Sequence, residues 1–216
     1  MKEPLKLHLG CGERYLEGYR NIDFPPSEHT VQTGTRVDEY SDIRELVYPR
    51  ESVAEVRLHH VFEHFTRPVA LALLTAWNAW LEPGGTLRIE VPDFDRTARR
   101  VLSPLTSEKQ RGVALRHIFG SQEAPWALHL EGWSRRRLER VANAFGFDVS
   151  ERRKNSYKGT FNVDISSRRV RQLTLTEARS AAAEILSMNL VGDEAKILEV
   201  WMTAYDDQVK KSWPTE

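Results

Sequence analysis

The chain holds a single cysteine, Cys11, which excludes an intramolecular disulfide and any metal site built from several thiolates. Set between two glycines, it reads as a small residue filling a tight turn and not as a nucleophile. No apolar run reaches about 18 residues, the length a membrane-spanning helix needs, so membrane insertion is not expected. The opening Met1-Lys2-Glu3-Pro4 lacks the apolar segment of a signal peptide, and a cytoplasmic location is the default expectation. Neither sign of charge prevails: 31 Lys and Arg against 31 Asp and Glu leave a formal net charge of zero. Total charge therefore points to neither nucleic acid nor a membrane surface. No aromatic-plus-basic pattern of an RNA module is present either, and no nucleic-acid partner is expected. Internal repeats and low-complexity segments are also missing. What remains is an ordinary globular composition, 40% hydrophobic and 29% charged, in 216 residues, enough for one substantial core.

Against that background one stretch stands out. Leu5, Leu7 and Leu9 alternate with Lys6 and His8, and then Gly10-Cys11-Gly12 follows. The pattern predicts a short strand ending in a tight turn. Without Cβ atoms, Gly10 and Gly12 are expected to turn their N–H groups toward a ligand. The carboxyl end of a first strand is where ligands bind in an open α/β sheet. Arg20-Asn21-Ile22-Asp23-Phe24 reads as a second strand closing in a carboxylate able to accept both hydroxyls of a ribose. An ordinary nicotinamide site fits poorly. Its G-x-G-x-x-G fingerprint would put glycine where Tyr15 stands, and its acid comes about 20 residues later. A turn glycine pair beside a surface Asp is the plain alternative. Residues 13–19 are too few for a full helix, so the first crossover is abbreviated.

Alternation of strand and helix continues. Residues 24–40 are loop-like, with Pro25, Pro26 and Gly34 as breakers. Ser52 to His59 predicts a strand. Thr66 and Pro68 open an amphipathic helix with Val69, Leu73, Leu74, Trp77 and Leu81 on one side. Pro83-Gly84-Gly85 is expected to end it, and Thr86 to Val91 forms a buried strand closing in Pro92-Asp93. Residues 94–119 hold one or two helices, with a capping box at Ser107 and Gln110. Ser134 caps a helix running to Phe145, with Gly146 at its C′ position. Phe147–Lys154 and Phe161–Ser166 are two late strands. Thr174 with Glu177 starts another helix, and a last one begins near Asp193, carrying Ile197, Val200, Trp201, Ala204 and Tyr205. The expected class is α/β, with a mostly parallel sheet.

These segments resemble the class I S-adenosylmethionine (SAM)-dependent methyltransferases. The likeness rests on Leu7-His8-Leu9-Gly10-Cys11-Gly12, on Asn21-Ile22-Asp23, and on a helix followed by Leu81-Glu82-Pro83-Gly84-Gly85-Thr86-Leu87. It extends to about residue 165. Gly18-Tyr19-Arg20-Asn21-Ile22-Asp23, and His129 ahead of Gly132-Trp133, resemble a compact bacterial subgroup predicted to act on surface polysaccharides or small molecules. The resemblance implies a Rossmann-like fold, a late antiparallel hairpin and SAM as cofactor. It places Leu9, Gly10, Cys11 and Gly12 near the methionine part of the cofactor, Asp23 on the ribose and Asp42 near the adenine. A helix-starting cap is the alternative for Asp42. His60, Glu63 and His64 would line the pocket floor, or else hydrogen-bond the start of the helix. Residues 1–170 form the expected SAM-binding domain. Residues 171–216 form a helical extension, used for packing, for a homodimer or as a substrate lid.

His60-Val61-Phe62-Glu63-His64 also matches H-x-x-E-H, the inverted zinc-peptidase motif. That reading needs the motif in mid-helix, whereas here it falls where a strand gives way to a helix. No metal ligands are therefore assigned. For methyl transfer to a hydroxyl, His129 is the first candidate base and Asp93 the second, with a loop histidine and a cap residue as their plain alternatives. Trp126 and Trp133 offer flat faces to a sugar or aromatic acceptor, or pack in the core. Arg135-Arg136-Arg137, Arg152-Arg153-Lys154 and Arg168-Arg169 fit a phosphate-bearing acceptor or solvated faces. The expected function is O-methylation of a sugar, polysaccharide or small molecule. The alternatives are a non-catalytic SAM- or partner-binding protein and, last, a zinc hydrolase using His60, Glu63 and His64.

Overall fold

The computed structural model describes residues 3–28 and 36–214. Gly34, read above as a loop breaker, lies outside them, as do Met1 and Lys2. Among the described residues a seven-stranded sheet runs in the order β3-β2-β1-β4-β5-β7-β6. Its strands are β1 Lys6–Leu9, β2 Arg20–Asp23, β3 Glu39–Tyr40, β4 Val53–His59, β5 Leu81–Pro92, β6 Phe147–Tyr157 and β7 Thr160–Arg169. The first five are parallel; β7 is antiparallel to both β5 and β6. The helices are α1 Arg67–Trp80, α2 Phe94–Leu102, α3 Glu108–Phe119, α4 Arg135–Ala144, α5 Leu175–Ser187 and α6 Ala195–Ser212. None is long and apolar enough to cross a membrane. This is a Rossmann-like α/β fold with a late antiparallel hairpin.

The caps act as their residues dictate. Ser107 with Gln110 and Thr174 with Glu177 form reciprocal capping boxes at the starts of α3 and α5. Ser134 accepts from the Arg137 N–H at the start of α4, and Gly146 follows that helix at φ +81°. Three details differ from the sequence reading. The segment 24–40 contains a 3-10 turn at Pro26–Glu28 and the two-residue β3, which pairs with Ile22 and Asp23. Helix α1 stops at Trp80, because Leu81 already pairs with Val53 in the sheet; Pro83-Gly84-Gly85 then lies inside β5 as an irregularity. In the β6–β7 hairpin, β6 runs three residues further, to Tyr157 at the turn, and β7 three residues further, to Arg169 at the open end.

Helix α1 is buried on both faces. From Pro68 to Trp80 every residue except Val69 is buried. One face lies on the sheet; α5 and α6 cover the other. The Tyr205 hydroxyl donates to Thr75 Oγ1 at 2.8 Å, and Trp80 Nε1 donates to the Ser212 carbonyl at 3.2 Å. Asn78 Nδ2 donates to the carbonyls of Phe145 and Arg171, and its Oδ1 accepts from Leu173 N. The apolar stripe read on α6 is rotated in the structure. Val200 is 67% exposed, while Met202, Tyr205, Gln208 and Ser212 face inward. The two polar members are accommodated by hydrogen bonds: Gln208 Nε2 donates to the Arg44 carbonyl, and Ser212 Oγ to that of Gln208.

Candidate active site

Because β1, β2, β4 and β5 are parallel, their carboxyl ends open on one edge of the sheet. The strand order reverses direction between β1 and β4, the crevice where such sheets take ligands. The glycine turn, Asp23, the 60–64 segment and Asp93 all reach this edge from sequence positions far apart.

In the turn, Gly10 and Gly12 have φ of +67° and +53°, the left-handed region that favours glycine. Their N–H groups, expected to turn toward a ligand, are taken up by the chain itself. Gly10 and Cys11 donate to the Ile22 carbonyl, and Gly12 donates to Asp23 Oδ2 at 2.5 Å. The abbreviated crossover explains this, since it lays β2 directly against the turn. A Cβ on Gly10 would stand 2.3 Å from Val61 Cγ2, so this glycine also makes room for the segment after β4. Cys11 is buried, and burial with the Asp23 charge pushes its thiol up to about 12, which agrees with a filler residue. Leu9 is fully buried.

Asp23 is 8% exposed, and its Oδ1 accepts from the Phe24 N–H at 2.7 Å. Two backbone donors thus fix its carboxylate at the strand end. Beneath it, Asn21 ties the crossover together. Its amide donates to the Leu16 and Tyr19 carbonyls and to Asp38, while its oxygen accepts from Leu16 N and from buried His8. Asp42 takes the cap role: it accepts from the Arg44 N–H and pairs with that guanidinium at 2.6 Å, on a 3-10 turn whose Ile43 is buried.

The 60–64 segment is a single 3-10 turn, Phe62–His64, entered through His60 at φ +57°. A left-handed histidine is strained backbone of the kind that clusters at functional sites. Glu63 is 1% exposed. Its Oε1 accepts from His60 Nδ1 at 3.2 Å and lies 3.9 Å from His129 Nε2. Its main-chain carbonyl takes the N–H groups of Leu130 and Glu131, which anchors the loop carrying His129. His64 Nδ1 donates to the Leu128 carbonyl at 2.9 Å, and His129 Nδ1 to the His117 carbonyl at 3.0 Å. His59 Nε2 meets Glu90 Oε2 at 3.1 Å, and Asn162 Nδ2 donates to Glu90 Oε1.

The electrostatics follow. Burial works to raise Glu63, but His60, His64 and His129 together hold it below the usual carboxylate range. Burial opposes the charged form of His60, yet the Glu63 hydrogen bond and charge raise it above the usual value. Burial lowers His117 and His129, so both are neutral near pH 7. Glu90 falls to about 2 despite its burial, through His59 and Asn155.

Several sequence candidates take other work. Asp93 caps α2, accepting from Arg96 N at 3.2 Å, and is nearly buried. Trp133 is 2% exposed and stacks on Phe62 at 4.9 Å, so it is core and not an acceptor platform. Trp126 Nε1 donates to the Glu28 carbonyl, tying the 120–133 loop across to the segment after β2. The basic groups are largely spent internally, on Arg137–Glu131, Arg152–Glu139, Arg153–Glu151 and Arg169–Glu51 pairs. The peptidase geometry does not form: His60 and His64 share no helix face. His59, Glu90 and His117 were not read from the sequence, and no local motif marks them; only the topology joins them to the cluster.

No family model matches the chain, and no curated protein matches it by sequence. Solved structures do. A SAM-dependent methyltransferase from Methanosarcina mazei aligns with 79% of this chain and 94% of its own length, at 12% identity and a TM-score of 0.53. The 1,6-didemethyltoxoflavin-N1-methyltransferase of Burkholderia thailandensis, solved with its substrate and S-adenosylhomocysteine, aligns over 78% and 72% at 14% identity and 0.52. A SAM-dependent methyltransferase from Mesorhizobium loti aligns over 77% and 91% at 12% identity and 0.50. At such identities the likeness is one of architecture: the chain has the fold of the SAM-dependent methyltransferases.

Proposed function

We propose that this protein is a SAM-dependent methyltransferase acting on a hydroxyl of a sugar, polysaccharide or small molecule. The observation that supports the reading is the placement of Asp23 and the His60–Glu63–His64–His129 cluster along the carboxyl edge of the sheet, on either side of the strand-order switch. The residues fit the cofactor: an anchored carboxylate at the end of β2 suits a ribose diol. Bound SAM would supply a methyl group already activated on a sulfonium. The chain's own part is then to position, to exclude water and to take a proton.

Asp23 would hold the ribose. His60, Glu63 and His64 would wall the methyl-donor side, and the loop pinned by Trp126 would shield it from solvent. His129 is suited to the proton. Its Nδ1–H is committed to the His117 carbonyl, so Nε2 carries the lone pair, and Glu63 at 3.9 Å steadies the imidazolium. A base so placed contributes about 10²–10⁴-fold. Asp93, serving α2 as its cap, is less suited. In the same reading residues 1–170 bind the cofactor and residues 171–216 are an extension, supported by the packing of α5 and α6 on α1.

The test is calorimetric titration of S-adenosylhomocysteine into the wild type and Asp23→Ala. Micromolar binding that weakens at least tenfold in the variant is expected. No binding to folded wild type overturns the reading. Binding without transfer to any hydroxyl acceptor would leave a SAM-binding protein without catalysis.

A further inference from the structure

We propose that Glu63, His64 and His129 form a binding site for a divalent transition metal ion, with zinc as its test case. One ring nitrogen of each histidine and a Glu63 oxygen lie within 4.8 Å of one another. Both rings donate Nδ1–H to a backbone carbonyl, of Leu128 and of His117. That fixes the tautomer and leaves Nε2 bare on each. Metal-binding histidines are held in this way, by a hydrogen bond from the nitrogen that does not bind the ion.

An independent observation is the carboxylate. Glu63 is 1% exposed and its Oε2 has no hydrogen-bond partner. An unpaired buried acceptor is destabilising, the more so when charged, unless a ligand satisfies it. The other three-residue group, His59, His60 and Glu90, lacks this feature: both Glu90 oxygens are taken, by His59 and Asn162. His60 instead serves Glu63 from outside, donating to Oε1.

The donor set names the class of ion. Two imidazoles and a carboxylate suit zinc and its neighbours, whereas magnesium and calcium want oxygen. Tetrahedral zinc with bonds near 2.0–2.1 Å sets its donors about 3.3 Å apart. Glu63 Oε1 and His129 Nε2 stand at 3.9 Å, and one ring nitrogen of His64 completes the group within 4.8 Å, so an ion would draw the three donors inward. The two segments are held in register by the Glu63 carbonyl on Leu130 and Glu131. Three protein ligands leave a position open. The site shares Glu63, His64 and His129 with the methyl-transfer reading but does not depend on it; under that reading, the ion takes up the His129 lone pair and defines a second state of the pocket.

Untagged full-length protein, stripped with a chelator, is titrated with zinc by calorimetry and with cobalt(II) by visible absorption. One equivalent is expected to bind, with ligand-field bands of a low-coordinate ion. His64→Ala and Glu63→Gln should each weaken binding tenfold or more, with circular dichroism confirming the fold, and His59→Gln should leave it unchanged. Absence of stoichiometric binding to the wild type overturns the proposal, as does binding that survives His64→Ala or is lost in His59→Gln. Wild type that binds S-adenosylhomocysteine but no metal removes this site alone; wild type that binds metal but no S-adenosylhomocysteine removes the methyltransferase reading alone.

Discussion

Position 10 tolerates glycine for two separable reasons. Its φ of +67° disfavours any side chain, and an added Cβ would collide with Val61 Cγ2. Gly10→Ala is expected to cost about 2–4 kcal/mol in urea unfolding, combining left-handed strain with the clash. Val61→Ala in the same chain should return the clash part and leave the backbone part, so the double mutant lands between. If it is no more stable than Gly10→Ala, the contact carries no weight. His8 gives a prediction in pH. Burial lowers its pKa from 6.5 to about 4, against a hydrogen bond to Asn21 that raises it. The unfolded chain therefore takes up this proton before the folded one does. The contribution is complete above pH 6.5 and is lost as pH falls toward 4, by on the order of 2–3 kcal/mol. Unfolding free energies of wild type and His8→Gln should converge across that window; a constant gap would refute the assignment. At this scale the sequence is legible where a residue answers to its neighbours along the chain. Gly10 and Gly12 announce a tight turn. They do not announce that β2 takes their N–H groups, because that depends on how closely the second strand is laid down.

Helix α1 shows the same boundary among elements. Its start, its apolar side and its approximate length follow from residues 66–81, and the caps of α3, α4 and α5 follow from single side chains three residues from their partners. Its second buried face is not legible, because the polar Thr75 and Asn78 that mark it look like solvent positions until α6 and the 171–173 segment meet them. The α6 stripe fails for the mirror reason: buried Gln208 and Ser212 interrupt the apolar pattern, and exposed Val200 extends it falsely. Asn78→Ala strands two carbonyls and one N–H at once. It should destabilise by about 3 kcal/mol, with Tyr205→Phe, which removes one hydroxyl, costing nearer 1 kcal/mol. Comparable losses in the two variants would mean that the three bonds of Asn78 do not act together.

For the whole molecule, strand–helix alternation is enough to expect a parallel sheet, and the sheet alone gathers the site. Glu63 and His129 meet across 66 positions because the loop after α3 returns over the turn after β4. Ligand binding at that edge should stabilise everything the sheet unites. S-adenosylhomocysteine at a hundred times its dissociation constant adds about 2.7 kcal/mol, which for a chain of this size raises the melting temperature by roughly 5–10 °C. A flat melting temperature under saturating ligand would argue against binding to the folded state. One consequence concerns how the protein is made. The partners of Thr75 and Trp80 lie 130 and 132 residues downstream. On the ribosome, β1 to β5 can emerge and pair while α1 still shows Trp80 and its neighbours to the cytosol, a lure for chaperones that bind exposed aromatics. The nascent chain therefore carries its greasiest helix half-dressed until α6 has left the ribosome, and stalling before that point should leave it bound to such a chaperone.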